Sequence, residues 1–227
     1  MKKFIFYILF FSLGIQCFSQ EIRHNVKDDL AEYILDSVKY VMKDFSDGNV
    51  IFQNGEMSKG LLNICVIDQT LRFLSPEGEI LKVNNENTVS SVSIKGRSFL
   101  KNRSLYIELL EMSDDIVLGV ARKITFLEQE KEGAYGKASP TTSVSTMTTY
   151  SDGGRTVNLG ENIVTPFRYK EIPYLYKNGI FYVAKKKYFQ KFFPEKKKMI
   201  ENYLNENKVN FDEMEDVKAL FLFLSQN

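Results

Sequence analysis

The spacing of hydrophobic residues divides the chain into regions with different secondary-structure periods. Between residues 26 and 43, hydrophobic side chains recur every three or four positions, with charged residues between them. This spacing is typical of an amphipathic helix. From residue 48 to about 127 the period becomes two, and turn signals separate short runs of β-branched and aromatic residues. Strands joined so closely predict an antiparallel meander, because a parallel pair needs a crossover of about a dozen residues.

Helical spacing returns near the C-terminus. Pro194 suits the first turn of a helix, where its missing N–H has no intrahelical acceptor. Two hydrophobic stripes follow it, one made of Met199, Ile200, Tyr203 and Leu204, the other of Val217, Leu220, Phe221 and Leu224. The predicted fold class is therefore α+β, mainly an antiparallel β meander (a twisted sheet or half-open barrel) with an N-terminal helix and a C-terminal helical hairpin.

Composition shifts along the chain predict its organisation. The stretch around residues 133–154 is rich in Ser, Thr and Gly and poor in large apolar groups, so it cannot bury enough surface to offset its ordering entropy. The expected divisions are residues 1–19, a signal peptide; 20–47, an N-terminal helix; 48–130, an antiparallel β domain; 131–155, a flexible Gly/Ser/Thr-rich loop; 156–184, further short strands; and 185–227, a C-terminal helical region.

The first nineteen residues have the pattern of a secretory signal. Lys2 and Lys3 precede an apolar run over residues 4–13, and small residues suit cleavage between Ser19 and Gln20. We therefore expect an exported protein that is periplasmic, on the cell surface or secreted. Lipidation of Cys17 is the alternative, although Gln16 stands where that signal requires a small residue. The apolar run is shorter than the roughly 20 residues that span a bilayer, so no transmembrane segment is expected in the mature chain.

Composition and charge exclude several classes of protein. With 227 residues, 44% hydrophobic and 26% charged, the chain is unlike collagens, coiled coils or wholly disordered proteins. Loss of Lys2 and Lys3 with the signal peptide changes the formal net charge from +1 to −1. A nearly neutral protein is not steered as a whole toward nucleic acid, so no nucleic-acid partner is expected.

The residues needed for common catalytic sites are scarce. His24 is the single histidine, and Cys65, in a strand-like apolar run, is the single cysteine of the mature chain. We therefore predict no metal, no cofactor and no histidine- or thiol-based catalytic group. Paired carboxylates could still hydrolyse a glycosidic bond, and the acidic residues considered for that role are Glu108, Glu111, Asp114 and Asp115.

A basic segment near the C-terminus is interleaved with aromatic residues. This combination is typical of a groove for an anionic polymer. The helical spacing of the aromatic residues instead favours a helix that buries them and leaves the lysines as its solvated face. The candidate polyanion-binding residues are Lys185, Lys186, Lys187, Lys191, Lys196, Lys197 and Lys198. Separately, Asp36-Ser37-Val38 resembles an O-glycosylation sequence of secreted bacterial proteins, which makes Ser37 a candidate modification site.

The order of these motifs resembles a family of uncharacterised exported proteins of Bacteroides-type bacteria. The resemblance is carried by the signal peptide and by five short motifs: Asp47-Gly48-Asn49-Val50, Leu62-Asn63-Ile64-Cys65, Gly133-Ala134-Tyr135-Gly136, Phe193-Pro194-Glu195-Lys196-Lys197 and Glu206-Asn207-Lys208-Val209. It implies a compartment and a general fold but no activity and no functional residues.

Two functions remain open at this point. The preferred one is a non-catalytic binding or scaffolding module of the periplasm or cell surface, with an envelope protein or glycan as its partner. The alternative is a carboxylate-dependent hydrolase acting on envelope or dietary glycans. A hydrolase requires two acids facing each other across a cleft. A binding module requires an exposed apolar patch or a sheet edge that can accept a strand.

Overall fold

A computed structural model describes residues 20–25, 34, 36–126, 130–132, 138–139, 149–152, 155–158 and 162–226, with side chains described at 34, 38–126 and 167–226. The predicted signal peptide, with Ser19, lies outside the described residues. So does most of the predicted loop at 131–155.

Thirteen of the described strands form one antiparallel sheet. The first nine strands are β1 (Gln20–Asn25), β2 (Ser46–Phe52), β3 (Met57–Cys65), β4 (Thr70–Leu74), β5 (Ile80–Lys82), β6 (Val89–Ile94), β7 (Arg97–Asn102), β8 (Leu105–Ser113) and β9 (Ile116–Phe126). The others are β10 (Glu130–Glu132), β11 (Ala138–Ser139), β12 (Thr149–Asp152), β13 (Arg155–Asn158), β14 (Asn162–Lys177) and β15 (Ile180–Val183), of which β12 and β13 pair separately.

The sheet consists of two consecutive meanders joined side by side. Strands β2 to β5 form one meander and β6 to β9 the other, and β2 pairs with β6. The sheet is curled, because the Ile124 amide in β9 donates a hydrogen bond of 3.1 Å to the Val66 carbonyl just after β3. Four strands lie between β3 and β9 in the sheet order. The predicted antiparallel meander is thus present, with a non-consecutive pairing at its centre.

Helices cover one face of the sheet at its β9–β14 end. They are α2 (Lys186–Phe192), α3 (Lys197–Glu206) and α4 (Met214–Gln226), with a 3₁₀ turn over Pro194–Lys196. The α4 stripe of Val217, Leu220 and Phe221 is fully buried against Leu118 and Leu175 of the sheet. The predicted helical C-terminus is therefore confirmed, although three helices and a 3₁₀ turn stand in place of the predicted helical hairpin. Their hydrophobic face forms the largest core among the described residues.

The predicted N-terminal helix is wrong. Strand β1 occupies Gln20–Asn25, and only Asp36–Lys39 (α1) is helical, while residues 26–33 lie outside the described part. The Val41 amide donates to the Ile64 carbonyl at 3.0 Å, as a strand would. The buried Asn63 side chain also bonds both the amide and the carbonyl of Met42, at 3.0 and 2.8 Å. Residues 40–42 therefore pair with β3 although their hydrophobic spacing is helical. The pairing gives their backbone N–H and C=O groups the hydrogen bonds that a helix would otherwise supply.

A second core fills the curled part of the sheet. It contains Val50, Leu62, Leu71, Val92 and Phe99, all at most 3% exposed. Within the described part of the chain, no helix combines the length and hydrophobicity needed to cross a bilayer.

Candidate functional site

Strand β14 has one edge that is only partly paired. On one side, residues 167–176 pair with β9. On the other side, β1 pairs with residues 162–167 and β15 with residues 174–177. Phe167 has partners on both sides, and so does Tyr174, so β1 and β15 flank the same edge. Between them, residues 168–172 have no strand partner among the described residues; we call this stretch the open edge.

The backbone groups that face outward at the open edge belong to Tyr169 and Glu171. The Ala184 amide donates a hydrogen bond of 2.8 Å to the Pro173 carbonyl. The backbone carbonyl of residue 173 therefore points away from β9, toward the open side of β14. Antiparallel strands present both backbone groups of alternate residues to the same side, and the register with β9 is continuous here. Two amides and two carbonyls are therefore available for pairing with a further strand.

The open edge borders a cavity of about 580 Å³. Its other wall is the loop between α3 and α4, from Phe211 to Met214, together with Val183 at the end of β15. Because Leu175 and Leu118 face each other beneath α4, residues 169 and 171 also point to this helical side of the sheet. A strand added at the open edge would therefore place alternate side chains in the cavity.

The two faces of the sheet at the open edge carry opposite charges. On the helical side are the carboxylates of Glu171, Asp212 and Glu213. On the other side, Arg168 and Lys170 are exposed and Lys170 lies directly opposite Lys123 of β9. Among the described residues, these three cations have no carboxylate within 4 Å. Like charges directly opposite each other destabilise a sheet, so this face favours an added negative charge.

A buried network of charged side chains connects the sheet interior to Glu171 at the open edge. Both oxygens of the Glu108 carboxylate, which is 5% exposed, accept hydrogen bonds of 2.5 Å from Arg97. The Arg122 guanidinium also bonds Glu108, and its Nε lies 2.7 Å from Oε1 of Glu171. Burial raises the pKa of Glu108, but the hydrogen bonds and charges of Arg97 and Arg122 outweigh burial and hold that pKa below its ordinary value. The network fixes Glu171 on the open edge.

The carboxylates considered for hydrolysis either pair with cations or lie in a turn. Glu108 is held ionised between two guanidinium groups, so it is unsuited to donate a proton at neutral pH. Glu111 pairs with Lys218 at 3.1 Å, and Asp115 with Lys177 at 2.9 Å. Asp114 adopts a left-handed backbone conformation, φ 52°, in the β8–β9 turn, where Asp is favoured.

The basic segment forms α2, the 3₁₀ turn and the start of α3. Its aromatic residues Phe189, Phe192 and Phe193 are buried in the helical core. Six of the seven candidate lysines are exposed and have no carboxylate within 4 Å in the described part of the chain: Lys185, Lys186, Lys187, Lys191, Lys197 and Lys198. Lys196 differs, because its Nζ donates a hydrogen bond of 2.5 Å to the Leu224 carbonyl near the end of α4.

The predicted cleavage and modification sites lie near the N-terminus, as does the single histidine. Gln20 is the first residue of β1, opposite Phe167, and His24 pairs with Ile163 in the same ladder. Ser37 lies in α1, and its side chain is outside the described residues. Its proposed glycosylation stays a prediction.

Sequence analysis did not identify Tyr169 or Glu171 as site residues. One signal was present: Pro173 interrupts a run of strand-forming residues, and proline in a strand indicates an edge whose N–H position faces away from the ladder. The length of the open edge depends on where β1 and β15 end. These pairings join distant parts of the chain and leave no local pattern.

No protein-family model matches this chain, and no curated protein or solved structure is significantly similar to it. The resemblance to exported proteins of Bacteroides-type bacteria therefore stays a prediction, and function is inferred from the geometry of the site.

Proposed function

We propose that this protein is a non-catalytic binding module of the cell envelope that takes up an extended polypeptide segment at the open edge of β14. The observation that carries the proposal is the set of outward amides and carbonyls of Tyr169 and Glu171. An unpaired strand edge offers main-chain hydrogen bonds to a peptide, and neighbouring pockets select its side chains. Export to the periplasm or cell surface is part of the proposal and rests on the signal-like residues 1–19.

The dimensions of the open edge suit one short strand. Five positions, opposite residues 168–172, correspond to roughly 17 Å of extended chain. Strands β1 and β15 already pair with β14 in the antiparallel direction at either end. An incoming strand therefore completes an existing ladder, and the cavity beside Phe211 and Met214 receives its side chains.

The other free edge of the sheet is less suitable. Strand β5 has only three residues, Ile80–Lys82. The Val83 amide and the Glu79 carbonyl form hydrogen bonds toward β4, so the N–H groups of Ile80 and Lys82 point outward. Short edge strands limit strand addition.

The hydrolase alternative has less support. Glu108, Glu111 and Asp115 each contact a cation, and Glu108 offers no free oxygen to a substrate. A glycosidase needs one carboxyl group kept protonated as the general acid, which requires a raised pKa. The lowered pKa of Glu108 is the opposite condition.

The test removes one outward N–H from the edge. The chain from Gln20 to Asn227 is used to select binders from a phage-displayed library of random heptapeptides. The Tyr169→Pro variant lacks an edge donor but keeps the β9 ladder, because residue 169 bonds outward. We expect it to bind the selected peptides at least about tenfold more weakly.

Two matched variants control for side-chain loss and for proline itself. Tyr169→Thr keeps the N–H but loses the aromatic ring, so it should bind the selected peptides at least about threefold more tightly than Tyr169→Pro does. Ile80→Pro removes an outward N–H from the β5 edge and should leave binding unchanged. Equal binding by Tyr169→Pro and the parent, or a library that yields no binder, would contradict the proposed function.

A further inference from the structure

The charges beside the open edge specify the strand it accepts. We infer that the occupant is an extended segment with a basic side chain opposite Glu171 and acidic side chains opposite Lys170 and Arg168. This inference rests on the proposed function and adds the chemical class of the partner.

The direction of the strand follows from its neighbours. β1 and β15 both run antiparallel to β14, so a strand between them also runs antiparallel. Its first residue lies opposite Ile172 and its fifth opposite Arg168. Removal of residues 1–19 would leave Gln20, opposite Phe167, as the first residue of the chain, with no residue of the mature protein before it along this edge.

Residues directly opposite each other in an antiparallel pair have their side chains on the same face of the sheet. Each position of the added strand therefore takes the face of the β14 residue opposite it. The second and fourth residues of the occupant point into the cavity, toward Glu171 and Tyr169. The carboxylates of Asp212 and Glu213 lie on the opposite wall, and no cation lies within 4 Å of either in the described part of the chain. A lysine or arginine at the second position would lie opposite Glu171, in a cavity whose other wall carries Asp212 and Glu213.

The fourth position faces aromatic and apolar groups. Tyr169 is 38% exposed, and the half-buried Phe211 and the buried Met214 line the same cavity. Aromatic cross-strand pairs are among the more stabilising pairs in sheets. An aromatic residue is therefore favoured opposite Tyr169.

The third and fifth residues point to the basic face. Lys170 is flanked on its β9 side by Lys123, and Arg168 lies two residues away on the same face. An acidic residue opposite Lys170 would offset the repulsion between the two lysines. The half-buried Ile172 favours an apolar first residue. The favoured order from the first residue to the fifth is apolar, basic, acidic, aromatic, acidic.

The test joins the occupant to the chain, so that weak binding of a free pentapeptide cannot obscure the result. One protein carries Val-Lys-Glu-Tyr-Glu directly before Gln20, in register with the open edge. A second carries the charge-inverted Val-Glu-Lys-Tyr-Lys, and a third begins at Gln20. Amide hydrogen exchange at Tyr169 and Glu171 reports strand addition, and thermal unfolding reports the strength of pairing.

We expect the first segment to slow exchange of both amides by at least about tenfold more than the inverted segment, because three charge pairs change from attractive to repulsive. The Lys170→Glu substitution should reduce this preference, whereas Lys59→Glu, at an exposed site on β3, should not. Raising the salt concentration should narrow the difference.

The two levels of the proposal fail in different ways. If both segments protect Tyr169 and Glu171 equally, the open edge accepts strands but the charge pattern is wrong. If neither segment protects these amides, strand addition itself is wrong, and the proposed function fails with it. Stronger protection by the inverted segment would overturn the inference alone.

Discussion

Arg97 and Glu108 lie on adjacent strands and share two hydrogen bonds of 2.5 Å, one from Nε and one from Nη2 of the guanidinium. The guanidinium carbon of Arg97 also lies 5.5 Å from the ring centroid of Phe99, in the second core. Arg122 joins the pair from β9 and extends it to Glu171 at the open edge. A buried carboxylate needs such partners, because burial without them costs several kcal/mol.

The first prediction concerns the stability contributed by this network. Arg122→Met keeps most of the side-chain volume but, among the described residues, leaves Glu108 with one cationic partner and Glu171 with none. We expect the free energy of unfolding, measured by urea denaturation, to fall by about 3 kcal/mol. Glu111→Gln, which breaks the half-exposed pair with Lys218, should cost less than about 1 kcal/mol. Similar losses of unfolding free energy in the two variants would show that the Arg122 contacts of Glu108 and Glu171 contribute no more than an exposed ion pair.

The second prediction concerns acid stability. Burial opposes ionisation of Asp68, but hydrogen bonds from Thr70, Lys82 and Arg72 outweigh it and lower the pKa of Asp68 below its ordinary value of 3.8. A carboxylate with a lowered pKa in the folded state stabilises the protein above its unfolded-state pKa, and that contribution disappears as the pH falls further. Parent and Asp68→Asn should therefore differ most in unfolding free energy near pH 7 and converge toward pH 2.

Urea unfolding at a series of pH values measures this convergence. Glu77→Gln, in the exposed turn before β5, serves as the control and should follow the parent at every pH. A constant difference between parent and Asp68→Asn from pH 7 to pH 2 would contradict the assignment of Asp68.

The third prediction separates Lys196 from the neighbouring lysines. Its ammonium group bonds the Leu224 carbonyl, where a positive charge also stabilises the helix dipole of α4. Lys196→Ala should lower the free energy of unfolding by about 1 kcal/mol. Lys197→Ala, one residue further along and exposed, should change it by less than about 0.5 kcal/mol. Equal effects would show that the bond to Leu224 contributes nothing measurable.

Local periodicity predicted the parts of the fold in which burial alternates along one element. The period of two from residue 48 to about 127 predicted a meander, and the structure has strands β2 to β9 between Ser46 and Phe126. The stripe from Val217 to Leu224 likewise predicted α4, because each of these side chains reaches the same core. In both cases the environment of each residue follows from its position in the repeat.

The same reasoning failed where distant residues decide the structure. Tyr40 and Val41 have helical spacing with their neighbours, yet they pair with Cys65 and Ile64. The buried side chain of Asn63 fixes that arrangement through Met42, and no pattern around residue 41 encodes it. The open edge was missed for the same reason, since it exists only where β1 and β15 both stop short of Glu171.

The fourth prediction tests the basic segment. Six exposed lysines without carboxylate partners in the described part of the chain should bind an anionic polymer such as dextran sulfate, and affinity should fall steeply with salt as counterions are released. Replacing Lys186, Lys187, Lys197 and Lys198 by Gln should weaken binding at least about tenfold in fluorescence titrations. Replacing Lys59, exposed on β3, and Lys95, exposed in the β6–β7 turn, should not. Salt-independent binding, or binding unaffected by the four substitutions, would contradict this role for the segment.

The most direct measurement of the open edge is amide hydrogen exchange by NMR in the free protein. The amides of Lys170 and Ile172 point to β9 and should exchange slowly, whereas those of Tyr169 and Glu171 point outward and should exchange at least about a hundredfold faster. A selected peptide should slow the second pair without changing the first. Equal protection of all four amides in the free protein would show that the edge is already covered, and strand uptake there would be excluded.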